Sequence, residues 1–216
     1  MSFLHLYRHT ESLTAQAAPD KCPVDVNGVR DWILDSGHAT EIKVHAVSLN
    51  KDLSPGHVII RDYREERWEA ESDFRASIRV SDKLNRCGLR FVSCKEMMHI
   101  FDSADEESSN RQRFFRLMDE IETPPVPGTG SLMLGSEYRA EWMTLLLLCP
   151  KPLRHEYKAK LEANEITPYD VAWKFLIPQR YVGALTGERY DEAFQWLITD
   201  AAEPPQADPN DAPPAR

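Results

Sequence analysis

Residues 91–102 read FVSCKEMMHIFD, and three of them, Lys95, Glu96 and His99, are of types and spacing that do chemistry. On an α-helix, positions i and i+4 share a face about one turn apart. In the pattern H-E-x-x-H, two histidines so placed grip one zinc ion, and the glutamate between them polarises the metal-bound water as general base. Here Glu96 and His99 keep the second half of that spacing, while Lys95 stands where the first histidine would be. An ammonium has three donors and no lone pair, and it ligates only after losing a proton against a reference pKa of about 10.4. His99 is therefore either a metal ligand or a helix histidine hydrogen-bonded inside the domain. Lys95 is either a solvated lysine whose stem covers apolar surface, or a built-in cation at the metal's place, paired with Glu137 or Glu96. Cys94 is the nearest soft ligand, but its spacing takes it off the face of His99. The histidines at 5, 9, 38, 45, 57 and 155 fall in no ligating pattern.

The elements that must position these groups change character along the chain. Residues 1–24 are weakly patterned and read as an N-terminal extension that caps or wraps the domain. Val29, Trp32 and Ile33, with Gly37 beyond them, predict a short helix over 25–37. Residues 42–50, 56–64 and 73–81 predict strands, the last being the cleanest, with Phe74, Ala76, Ile78 and Val80 on one face. Turn residues between Asn50 and Gly56 predict an antiparallel meander of about three strands. Helical periodicity then takes over, across 89–103, 102–122, 136–150, 151–163, 167–187 with a break near Pro178, and 189–199. Thr167 and Pro168 suit an N-cap and a first helical position. The stretch 123–131 is dense in breakers, and the tail 203–216 is proline-rich, polar and predicted to be disordered. The fold class predicted is α+β: a small antiparallel sheet followed by helices, as one domain over 25–202.

Composition limits what such a site serves. Across 216 residues, 26 Lys+Arg face 35 Asp+Glu, a formal net charge of −9, with no basic run. That balance argues against direct nucleic-acid binding, which needs a clustered positive field. No apolar run reaches the roughly 18 residues of a transmembrane helix, and the N-terminus lacks a basic-then-apolar signal pattern. A cytoplasmic protein without membrane attachment is expected. Cys22, Cys87, Cys94 and Cys149 form no C-x-x-C pair and read as thiols.

Several segments, taken in order, resemble the ImmA/IrrE-type metallopeptidases, a family of intracellular zinc proteases linked to phage and stress regulation. FRASIRVSDKLN looks like the edge strand before that family's active-site helix. LRFVSCKEMMHIFD is similar to its R-F-t-x-a-H-E-x-x-H block, with Arg90 and Phe91 in register. SEYRAEWMTLLLLCP is similar to its E-x-x-A-(N/D)-x-F-A-x-x-L-L-M-P helix, with Glu137, Ala140, Leu147, Leu148 and Pro150 on matching positions. DVAWKFLIPQRYVGAL looks like its closing helical segment. The resemblance spans about residues 73–187 and implies a zincin-like active-site helix packed with the sheet and a C-terminal helical bundle. It also implies Glu96 at the general-base position, His99 and Glu137 as second and third zinc ligands, and Lys95 in place of the first. Glu137 has a second reading, as an acid in the first turn of its helix favoured by the macrodipole.

With one histidine and one glutamate left, zinc is predicted to be absent or weakly bound. The resemblance then implies a metallopeptidase-like protein with a degenerate, non-catalytic site, acting in regulation or in binding a protein partner or peptide. Two other readings stand beside it: an active metal-dependent peptidase with an unorthodox ligand set, and a toxin–antitoxin-like binding module.

Overall fold

Three strands form one sheet: β1 (Glu41–Val47), β2 (Gly56–Asp62) and β3 (Phe74–Ser81), in the order β1-β3-β2. The computed structural model describes residues 3–15, 24–50, 54–62, 74–102 and 132–199. The helix expected over 102–122 past its first residue, the stretch 123–131 and the tail from 203 lie outside them. Of the three strands, β3 alone buries a full alternate set, Ala76, Ile78 and Val80, and it occupies the middle. In β1 only Ile42 is buried, while Val44 faces out.

The sheet is mixed, which corrects the expected antiparallel meander. β2 runs antiparallel to β3, but β1 runs parallel to it, from Glu41 opposite Arg75 to Val47 opposite Ser81. β3 is therefore a central strand and not the edge strand that the resemblance implied. Apolar alternation reports which face of a strand is buried and carries no information on its direction. Backbone bonds from Thr40 N to Phe74 O (2.8 Å) and from Asp82 N to Val47 O (3.0 Å) tie the two parallel strands together at both ends.

Helices surround this sheet. The weakly patterned N-terminal segment forms α1 (Phe3–Thr14), which buries Phe3, Leu4, Leu6 and Tyr7 in the common core. The Tyr7 hydroxyl accepts from Lys151 N at 3.2 Å and donates to Glu11, pinning this helix to a distant part of the chain. α2 (Val26–Asp35) is capped by the Asp25 carboxylate. α3 (Arg86–Met98) is followed by a 3-10 turn (His99–Phe101), so the helix expected over 89–103 starts earlier and tightens at His99. α4 (Leu132–Leu148) likewise starts before the expected 136, and Leu145 to Leu148 are all fully buried. After α5 (Lys151–Glu162), α6 (Pro168–Phe175) opens with a Thr167–Asp170 capping box and Pro in its first turn. Its exit runs through Leu176, whose positive φ of 49° places it in the left-handed region that ends many helices. A 3-10 turn (Gln179–Tyr181), α7 (Val182–Thr186), α8 (Arg189–Phe194) and a π turn (Gln195–Thr199) complete the described chain. The class is α+β. No described helix is long and apolar enough to cross a membrane.

α3 is the element on which the site depends. The Asn85 side chain accepts from Gly88 N at 2.8 Å and so fixes the helix start. Phe91, Val92, Cys94, Met97 and Met98 bury it against β2, β3 and α4. Gly56, the first residue of β2, touches it so closely that a Cβ there would lie 2.3 Å from Val92 Cγ1 and 3.1 Å from Glu96 Oε1. Gly56→Ala should therefore destabilise the protein by about 1–3 kcal/mol through overpacking. Val92→Ala in the same chain should relieve part of that loss, because it removes the clashing methyl. Urea denaturation of the two variants checks this; a neutral Gly56→Ala would mean that β2 does not press on α3.

Candidate functional site

Lys95 and Glu96 sit in the last turn of α3, and His99 begins the 3-10 turn that follows. Glu137 faces them from α4. Because α4 begins at Leu132, Glu137 is in its second turn, so the reading of it as a first-turn acid favoured by the macrodipole is corrected. The Lys95 ammonium pairs with both acids: Nζ donates to Glu137 Oε2 in a short contact and lies 3.2 Å from Glu96 Oε1. Glu137 reaches His99 with its other oxygen, Oε1, at 3.3 Å from Nε2. The structure thus brings together all four residues that the sequence singled out.

A second half of the cluster carries residues that sequence reasoning missed. His99 Nδ1 lies 2.7 Å from Asp102 Oδ2 and 3.2 Å from Ser136 Oγ, and the Ser136 hydroxyl donates to the same Asp102 oxygen. Arg139 donates to Asp102 Oδ1 at 2.6 Å. Asp102 stands three residues after His99, a helical neighbour spacing legible in sequence, at the junction of the helices predicted over 89–103 and 102–122. Ser136 and Arg139 flank Glu137 on α4 without any linear signal of their own. His57, next to Gly56 on β2, lies near enough for Glu96, Glu137 and His99 all to act on its charge, and no spacing in the chain announces it. One turn beyond Glu137, Glu141 accepts from the Tyr181 hydroxyl at 3.3 Å, and the Tyr181 ring stacks on Phe91.

Burial and charge oppose each other throughout this cluster. Burial disfavours the Lys95 ammonium, but Glu96 and Glu137 outweigh it and hold the lysine above its ordinary range. Burial would raise Glu137, yet Lys95 and His99 hold it well below the usual carboxylate range. Burial would also lower His99, but its bond to Asp102 and its charge contact with Glu137 prevail and push it up to about 10. His57 goes the other way and is lowered, chiefly by burial. Glu141 is raised, again mainly by burial. With His99 protonated, three cations (Lys95, His99, Arg139) face three carboxylates (Glu96, Asp102, Glu137).

Two atoms of the cluster are held by ion-pair contact alone. Among the described residues, Glu96 Oε1 and His99 Nε2 are buried without a hydrogen-bond partner, in residues only 3% and 7% exposed. Their neighbours are near in charge but off the hydrogen-bond direction. The Lys95 ammonium lies where Glu96 and Glu137 converge. Among the described residues, no group of three or more His, Cys, Asp or Glu is arranged to hold a metal ion. Cys94 is buried in the core and burial pushes its thiol up to about 12, which leaves it a structural thiol.

The chain matches no protein-family model, no curated protein and no solved structure.

The raised and lowered groups predict a pH profile. A histidine raised when folded contributes stability that is complete below its unfolded value of 6.5 and is lost as pH rises towards about 10. The depressed Glu137 contributes stability present above its ordinary 4.5 and lost as pH falls below it. Above pH 6.5 the His99 contribution should fall by on the order of 1 kcal/mol per pH unit. Urea denaturation from pH 6 to pH 9 checks this. His99→Gln should start less stable and lose that slope, and a wild-type profile parallel to the variant's would contradict the charged His99.

Proposed function

We propose that this chain is a metallopeptidase-like protein of the ImmA/IrrE type, with a zincin-like packing of α3 and α4, in which the Lys95 ammonium has taken the place of the metal. The pocket is then non-catalytic and serves regulation or the binding of a protein partner or peptide in a cytoplasmic, phage- or stress-related setting. One observation carries the reading: Lys95 Nζ pairs with Glu96 and Glu137, the two acids that the resemblance assigns as general base and third ligand. A tethered ammonium supplies the positive charge those acids need and, unlike zinc, has no open position to activate water. Glu96 Oε1 and His99 Nε2, buried in ion-pair contact but without a hydrogen bond among the described residues, keep hydrogen-bonding capacity for a partner's polar group, which favours a binding role over a purely structural ion cluster.

Elemental analysis after dialysis tests the metal's replacement. The wild type should carry no stoichiometric zinc. Lys95→His should gain it, since Glu137 already reaches both position 95 and His99, with Glu96 beside them. Zinc near one equivalent in the wild type would overturn the proposal in favour of a working peptidase with an unorthodox ligand set. Zinc in neither protein would leave a buried ion cluster with no relation to a metal site.

Stability gives a separate reading of the same pair. Lys95→Met strips the cation from two acids that face each other, and should lower stability by about 3 kcal/mol. Adding Glu137→Gln should recover part of it, as a double-mutant cycle measures. Independent losses in the two single variants would show that Lys95 and Glu137 are not coupled.

A further inference from the structure

We infer that the face of α3 turned away from Lys95 forms a binding site for a small organic anion with an apolar body, of the kind a medium-chain carboxylate represents. Arg86, Arg90, Ser93 and Met97 follow one another at spacings of four, three and four along α3, which stacks them on a single face. Lys95 and His99 fall on the opposite side of the helix axis, so this site shares the helix with the ion cluster but not its chemistry. The inference does not rest on the function proposed above.

A cavity of about 490 Å³ lies on this face, between α3, β1 and the ends of α2 and α6. That is within the range of roughly 300–1,000 Å³ usual for small-molecule sites. Its apolar wall includes Met97, Leu176, Val44 and Leu89, the last two being 42% and 39% exposed. Exposed apolar side chains are ordinary when scattered; here two of them line the same concavity.

Three arginines line the same cavity, namely Arg30, Arg86 and Arg90. Arg30 is engaged at the surface with Asp31 at 2.8 Å. Arg90 donates Nη2 to the Val24 carbonyl. Among the described residues Arg86 makes no ion pair. Among the described residues, the one carboxylate in the lining, Asp25, is occupied in capping α2, where it accepts from Asn27 N at 3.0 Å. An excess of guanidinium in a chain of net charge −9 is a local reversal of sign. Guanidinium groups bind carboxylates through paired, charge-assisted hydrogen bonds. An apolar wall with cationic groups on the same concavity complements a ligand that has both parts, and neither part alone.

Isothermal titration calorimetry of the full chain tests this with three probes: octanoate, 1-octanol and acetate. Octanoate should bind saturably at one site. Octanol, which lacks the charge, and acetate, which lacks the apolar body, should each bind roughly tenfold more weakly or worse. Arg86→Ala should weaken octanoate roughly tenfold. Val44→Trp, an exposed strand position that tolerates a large aromatic, should fill the cavity and abolish binding. Circular dichroism confirms that both variants are folded. Three results would overturn the inference: no saturable octanoate binding, octanol binding as tightly as octanoate, or octanoate binding that is unchanged in Arg86→Ala.

Discussion

Two carboxylates withdrawn from water within reach of the same point repel each other, and the interior offers little dielectric to weaken that repulsion. Glu96 and Glu137 are such a pair, and the Lys95 ammonium between them is the interaction on which the rest of the site depends. Its charge lets Glu137 remain ionised. An ionised Glu137 in turn helps hold a proton on His99, and a charged His99 suits Asp102, which Arg139 and Ser136 support from behind. Each group is tolerable in the interior because its neighbour is charged, so the cluster stands or falls as a unit.

Such a network demands precise packing of the elements that carry it. α3 supplies Lys95 and Glu96 from a turn buried on most sides, so the acid cannot swing into solvent. α4 supplies Glu137, Ser136 and Arg139, and the burial of Leu145 to Leu148 further along anchors that helix. Contact between α3 and β2 at Gly56 closes the third side and brings His57 towards the acids. The 3-10 turn at His99 tightens the chain so that Asp102 folds back onto the imidazole.

The opposite face of the same helix obeys different rules. There, Arg86 and Arg90 line a concavity with apolar walls, and among the described residues Arg86 makes no ion pair. One helix therefore separates a charge-balanced ion cluster from an open and locally cationic cavity. The helical period does this without additional structure, since the stripe of Arg86, Arg90, Ser93 and Met97 and the stripe of Lys95 and His99 lie about half a turn apart around the axis.

How much of this was legible beforehand follows the range of the interactions. Sequence by itself determined the local elements: the Thr167–Pro168 helix start, the alternation of β3, and the i, i+4 relation that puts Lys95 and His99 on one face. These depend on residues a few positions apart, whose geometry the backbone period dictates. It also made Lys95 the anomaly, because an ammonium without a lone pair is a property of the residue and not of the fold. Only tertiary structure decided that β1 runs parallel to β3, since alternation is the same for either direction. Only tertiary structure brought Glu137 onto Lys95, carried Ser136, Arg139 and His57 to the cluster, and buried α1 in the core. Those contacts join residues far apart in the chain, and their geometry is set by how helices and sheet pack around a common core, which no short window of sequence contains.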